Sequence, residues 1–175
     1  MAVMVDIVYD ELRVVAEDVV AAAAAFVRRR RPEIFAAAVG PVVRAKSTPT
    51  DPVTIVDTES EQVVRDLLAR ARPGEPILGE EGGGSAGRPG AVRWVVDPID
   101  GTVNFVYGIP AYAVSLAAQV DGVSVAGAVA DVCSGEVFSA ALGRGATVAA
   151  GAESRVLRCA GVTDLVPEVH GVLVG

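Results

Sequence analysis

Trp94-Val95-Val96-Asp97-Pro98-Ile99-Asp100-Gly101-Thr102-Val103-Asn104-Phe105 runs from an apolar, β-type segment into a turn built around two carboxylates. Trp94 to Val96 predict a strand. Pro98 then fixes φ at one corner of the turn, and Gly101 admits a positive φ or a close backbone approach. Asp97 and Asp100 therefore leave the strand within one small volume, which like-charge repulsion opposes unless a cation lies between them. A hard divalent ion held by oxygen ligands meets that requirement. A solvated surface turn, with both acids capping local backbone groups, uses the same residue types. Neighbouring motifs have to separate the two.

The chain of 175 residues is long enough for one domain with a true core and short for two. Its hydrophobic share is 51%, yet the longest apolar run, Val19 to Val27, is mostly alanine and is closed by Asp18 and Arg28, so no membrane span is expected. Asp6, Asp10 and Glu11 stand where a secretory signal is basic, which points to a cytoplasmic protein. Cys133 and Cys159 lack CxxC spacing and read as reduced thiols, in keeping with that compartment. A net charge of −7 argues against a nucleic-acid partner and leaves a phosphorylated ligand in need of cations. His170, the single histidine, gives histidine triads and histidine-based zinc sites almost no material.

Ile7 to Arg30 shows helical periodicity through Leu12, Val15, Val19, Ala23 and Phe26. The Arg28 to Arg31 run falls at the expected C-terminal end, where cations complement the helix dipole. Pro32 is expected to end that helix, with a second one, Glu33 to Val39, starting afresh before Gly40-Pro41. Val42 to Ser47 looks like a strand, and Val53 to Val56 continues after the turn-rich Ser47-Thr48-Pro49-Thr50-Asp51-Pro52. Asp57 then stands at a helix start, with Thr58-Glu59-Ser60-Glu61 as a capping box and Val63, Val64, Leu67, Leu68 and Ala71 along one face. There Asp57 is either a cap-region anion or a functional acid.

Pro76 to Leu78 forms a short strand running into Gly79-Glu80-Glu81. Gly82 to Gly87 formally matches GxGxxG, but no helix follows, so dinucleotide binding is rejected and a flexible loop is expected. Tyr112 to Val120, Val123 to Val132, Glu136 to Leu142 and Arg155 to Cys159 read as an antiparallel meander jointed at Asp121-Gly122 and Ser134-Gly135. Helices first and strands later indicate an α+β class, with N-terminal helices packed on a largely antiparallel sheet.

Acids thus gather at three element ends: Asp57, Glu80 with Glu81, and Asp97 with Asp100. An all-oxygen set selects Mg²⁺, Mn²⁺ or Ca²⁺ over zinc. Backbone amides just past Gly101, at Thr102, are placed to receive a phosphate oxygen. Metal ions beside a phosphate cradle imply metal-assisted phosphoester hydrolysis.

At these residues the chain resembles the inositol monophosphatase family. Trp94 to Phe105 is similar to the family's first signature throughout, Gly79-Glu80-Glu81 to its metal-binding Gly-Glu-Glu, and Lys46-Ser47 through Asp51-Pro52-Val53-Thr54 to Asp57 to its lysine, loop and aspartate segment. The resemblance implies a layered α/β sandwich and Mg²⁺-dependent hydrolysis of a small phosphate monoester, foremost inositol monophosphate. It implies Glu80, Asp97, the Ile99 carbonyl and Asp100 as metal ligands, with Asp57 and Thr102 orienting or activating the attacking water. Glu80, Ile99, Asp100, Gly101 and Thr102 would meet the substrate, the phosphate lying on the Gly101 and Thr102 backbone, with Lys46 and Glu81 nearby. A homodimer is a common assembly of the family.

The family also has a second half, whose Trp-Asp-x-Ala-Gly motif supplies a further metal-site aspartate, and no second tryptophan occurs here. About half of the family's five-layer sandwich is therefore expected, with residues 1–160 as the phosphatase domain and 161–175 as a tail beginning an absent or truncated layer. A catalytically deficient binding or structural module, or a relative acting on fructose 1,6-bisphosphate or adenosine bisphosphate, stands as the alternative.

Overall fold

The computed structural model describes residues 2–37, 52–84 and 88–159. Two long helices come first, α1 (Ala2–Ala37) and α2 (Pro52–Ala71). Strands β1 (Ile77–Gly79) and β2 (Val92–Asp100) follow, then a short helix α3 (Thr102–Tyr107). The chain continues through β3 (Ala113–Val120), β4 (Val123–Asp131), β5 (Val137–Ala141), β6 (Gly145–Ala150) and β7 (Glu153–Leu157). All seven strands form one sheet in sequence order. β1 pairs parallel to β2, and every later neighbour is antiparallel. The α+β class and the helices-on-meander arrangement are those expected.

Local chemistry sets the joints. Asp121 and Gly122 both take positive φ, 50° and 81°, the backbone of a type I′ hairpin whose twist matches the strands it joins. Between β4 and β5 the Asp131 carboxylate accepts the Cys133 and Ser134 amides, closing the turn from the side-chain end.

One core lies between the helices and a single face of the sheet. Leu12, Ala16, Val19, Val20, Ala23 and Val27 form the buried stripe of α1, and their small size lets the helix approach β3, β4 and β5 closely. Leu116, Ala118, Ala126 and Ala128 meet it from the sheet. α2 packs on β2, where the fully buried Trp94 donates its indole N–H to Glu75 at 2.6 Å, so its one polar atom is satisfied.

Several expectations are corrected. Pro32 does not end the first helix, because α1 runs unbroken to Ala37. The ring sits on the exposed side, while Val27 before it and Ile34 after it are buried in the same core, and that burial outweighs the lost hydrogen bond. The arginine run is accordingly mid-helix, and tertiary partners rather than the dipole hold it. Arg28 donates to the Val132 carbonyl, Arg30 to Glu59 and Glu33, and Arg31 to the Phe105 carbonyl while lying over the Phe35 and Phe105 rings. The helix expected to start at Asp57 already includes Val53 to Val56, since α2 spans Pro52–Ala71, with Pro52 in the first turn where a missing N–H costs nothing. Thr58-Glu59-Ser60-Glu61 is therefore helix interior and caps nothing. α3 and β6 were not foreseen, the latter because the alanines of Gly145–Ala150 carry little β signal. The expected strand Val42 to Ser47, Lys46 and the tail 161–175 lie outside the described residues.

Candidate active site

β2 delivers its acids through a tightly specified turn. Asp97 Oδ1 accepts the Ile99 amide at 3.2 Å, folding the carboxylate back over Pro98. The Pro98 carbonyl accepts the buried Ser60 hydroxyl at 3.1 Å, which fastens α2 to the strand end. The Ile99 carbonyl accepts the Thr102 hydroxyl at 3.1 Å. Gly101 stands between them at φ 86° and ψ 39°, and a Cβ there would come within 2.9 Å of the Ala111 carbonyl oxygen. Only glycine fits. The Gly101 carbonyl then accepts Phe105 N–H as the first bond of α3, and Asn104 ties back to Ala111.

The sheet brings the second acidic motif alongside. In the parallel β1–β2 pair, Gly79 lies opposite Val96, so Glu80, the first residue past β1, is level with Asp97 of β2, where the pairing with β3 shifts register. Glu80 and Asp100 are exposed and Asp97 is half-buried. The third motif arrives on α2. Asp57, Ser60, Glu61, Val64 and Leu68 follow the helical repeat and are all buried, Asp57 at 2% exposure. The buried face of α2 is therefore polar over the turn of β2 and apolar beyond it. Asp57 is no solvated cap.

The structure thus brings Glu80, Asp97, Ile99, Asp100, Gly101 and Thr102 to two adjacent strand ends and sets Asp57 on the helix fastened there. Lys46 lies outside the described residues, and Glu81 is exposed, its amide held by Glu61. The donors, carboxylates and one backbone carbonyl, fit a hard divalent cation by their chemistry. Among the described residues, no three acidic, histidine or cysteine side chains are already drawn together around an ion-sized point.

Two contributors were misread in the sequence. Ser60 and Glu61, taken for cap residues, instead brace the two acidic turns. The helical repeat puts residues 57, 60, 61, 64 and 68 on one face, and following it through the polar positions as well as the apolar ones would have revealed them. Tyr112 borders the same turn, packing edge-on to Phe105, with its hydroxyl pushed up to about 12 by burial and by its bond to Cys133.

The chain is similar to known proteins over most of its length. The family model described as the inositol monophosphatase family matches residues 8–169. An inositol-1-monophosphatase of Mycobacterium leprae is 63% identical over 164 residues, covering 89% of this chain and 56% of that protein. The inositol-1-monophosphatase SuhB of Mycobacterium tuberculosis is 60% identical over 162 residues, 88% of this chain and 56% of that one. A solved structure of Mycobacterium tuberculosis SuhB superposes with a TM-score of 0.74 at 55% identity, over 90% of this chain and 55% of that chain. The chain spans little more than half the length of these relatives.

Proposed function

Because the chain belongs to the inositol monophosphatase family, we propose that it carries the catalytic acids of a Mg²⁺-dependent phosphatase that hydrolyses a small phosphate monoester, foremost inositol monophosphate. The observation that carries this reading is the parallel register that sets Glu80 level with Asp97 beneath a helix bearing the buried Asp57.

Glu80, Asp97, the Ile99 carbonyl and Asp100 would hold Mg²⁺. When bound, such an ion lowers the pKa of water and offsets charge on the phosphoryl and leaving oxygens. The chain's own groups supply the rest. Thr102 spends its hydroxyl proton on the Ile99 carbonyl, so its oxygen has acceptor capacity with which to orient the attacking water. Asp57, sequestered from solvent, is the carboxylate to take that water's proton. Gly101 bends the backbone so that its amide and that of Thr102 face the phosphate. Glu80, Ile99 and Asp100 also border the bound substrate in this reading.

Among the described residues no helix is long and apolar enough to cross a membrane. We place the activity in the cytoplasm, in keeping with free Cys133 and Cys159, and infer a homodimer as the assembly. Residues 1–160 form the N-terminal phosphatase domain in this reading.

Phosphate release from inositol 1-phosphate tests the proposal. The assay compares the chain alone with the chain completed by the remaining portion of a mycobacterial relative, in Mg²⁺ and in chelator. The completed chain should release phosphate only with Mg²⁺, and the 175-residue chain little. Thr102→Ala in the completed chain should cut kcat while leaving the Mg²⁺ requirement intact. Metal-independent release, or none from the completed chain, would contradict the proposal.

A further inference from the structure

Glu61 is 3% exposed, and its carboxylate grips the neighbouring acidic turn rather than solvent. Oε2 accepts the Glu81 amide at 2.9 Å and Oε1 the Gly82 amide at 3.0 Å, so one carboxylate chelates two consecutive backbone N–H groups. Arg65, one helical turn on, donates Nε to the same carboxylate at 2.8 Å and a terminal nitrogen to the Gly83 carbonyl at 2.8 Å. That carbonyl also accepts Gly79 N–H at 3.1 Å, closing a ring of bonds around Glu80 and Glu81. The glycines fit the same device. A Cβ on Gly79 would fall within the Glu61 carboxylate, and one on Gly82 would lie 2.6 Å from Glu61 Oε1 and 2.9 Å from Arg65. Gly79 and Gly82 leave the space that the Glu61–Arg65 pair fills. The stretch that sequence reasoning treats as a flexible loop is stapled at its start.

We propose that Glu61, buttressed by Arg65, is a positioning residue that sets the Gly79–Gly83 turn so that Glu80 is presented to a divalent cation. The inference rests on the metal reading of Glu80 and Asp97. Charge-assisted bonds to two amides hold the turn more firmly than neutral ones would. Glutamine at this site would aim an NH₂ group at one of the amides, so an isosteric change breaks the clamp. Groups that orient ligands from behind typically change metal affinity by ten- to a hundredfold when removed.

The test uses the full chain and Mn²⁺ as the probe, followed by electron paramagnetic resonance titration. Amide hydrogen exchange at Glu81 and Gly82 is measured without metal. Glu61→Gln should lose protection at those two amides and weaken Mn²⁺ roughly tenfold to a hundredfold. Gly79→Ala should do the same by displacing the carboxylate while keeping its charge, and Glu61→Asp should retain part of both. Glu80→Gln serves as the control for the metal reading. If Glu80→Gln loses affinity while Glu61→Gln loses protection but binds Mn²⁺ as before, Glu61 is only a structural brace and the inference is overturned. Should Glu80→Gln bind like the parent, or the parent bind no Mn²⁺, the metal reading fails and the inference falls with it.

Discussion

Gly101 shows how much of the site rests on one residue. It holds φ 86°, and its missing Cβ leaves room for the Ala111 carbonyl. Gly101→Ala should therefore destabilise the fold by about 1–3 kcal/mol, from left-handed strain plus the clash. Urea midpoints measure it, and a variant as stable as the parent would show that the turn relaxes freely. Asp97, Asp100, Glu80 and Gly101 were legible in the sequence because local covalent rules act on them: proline, glycine and acids in a short span restrict what the backbone can do. Glu61 was not legible, for its role depends on a turn almost twenty residues away, reached only when α2 and β1 are packed. The same holds for Arg31, whose bond to the Phe105 carbonyl joins α1 to α3.

At the level of elements, periodicity found α1, the body of α2 and the hairpins, while boundaries next to proline were misjudged in both directions. The helix expected from Asp57 already includes Pro52 to Val56, and Pro32 fails to stop one. In each case tertiary burial overrode local propensity. Pro32 stands in an exposed helical position, so its own ring adds no packing to offset the cost that its buried neighbours carry. Pro32→Ala should raise stability by about 2 kcal/mol: roughly 3 for restoring a helical interior residue, less about 1 for the looser unfolded chain. Thermal or urea unfolding checks this. A loss of stability would mean that the proline shapes α1 for a purpose the core does not reveal. β6 escaped notice because alanine and glycine signal neither period, although its pairing with β5 is regular from Val137–Ala149 to Ala141–Gly145.

For the molecule as a whole, α1 covers one face of the sheet, and among the described residues the opposite face is partly exposed. Glu17 bonds Ser139 and Arg13 bonds Thr147, which fixes the side that α1 covers. The opposite cross-strand row runs Asp97, Ser115, Val129, Phe138, Val148, with Val129 and Phe138 more than a third exposed and Val148 buried. The match covers 56% of the mycobacterial relatives. Apolar area left in water forgoes about 25 cal/mol per Å². Any ligand that selects the native state adds to its stability by mass action and so has a visible effect on melting.

That sensitivity makes melting temperature in Mg²⁺ against chelator the most direct test of the central claim, that the strand-end acids form a divalent-cation site. Binding at a hundredfold excess over Kd adds about 2.7 kcal/mol, which for a domain of this size raises Tm by roughly 5–10 °C. The account predicts such a rise for the parent chain and none for Asp97→Asn. An identical Tm in Mg²⁺ and in chelator for the parent chain would contradict it.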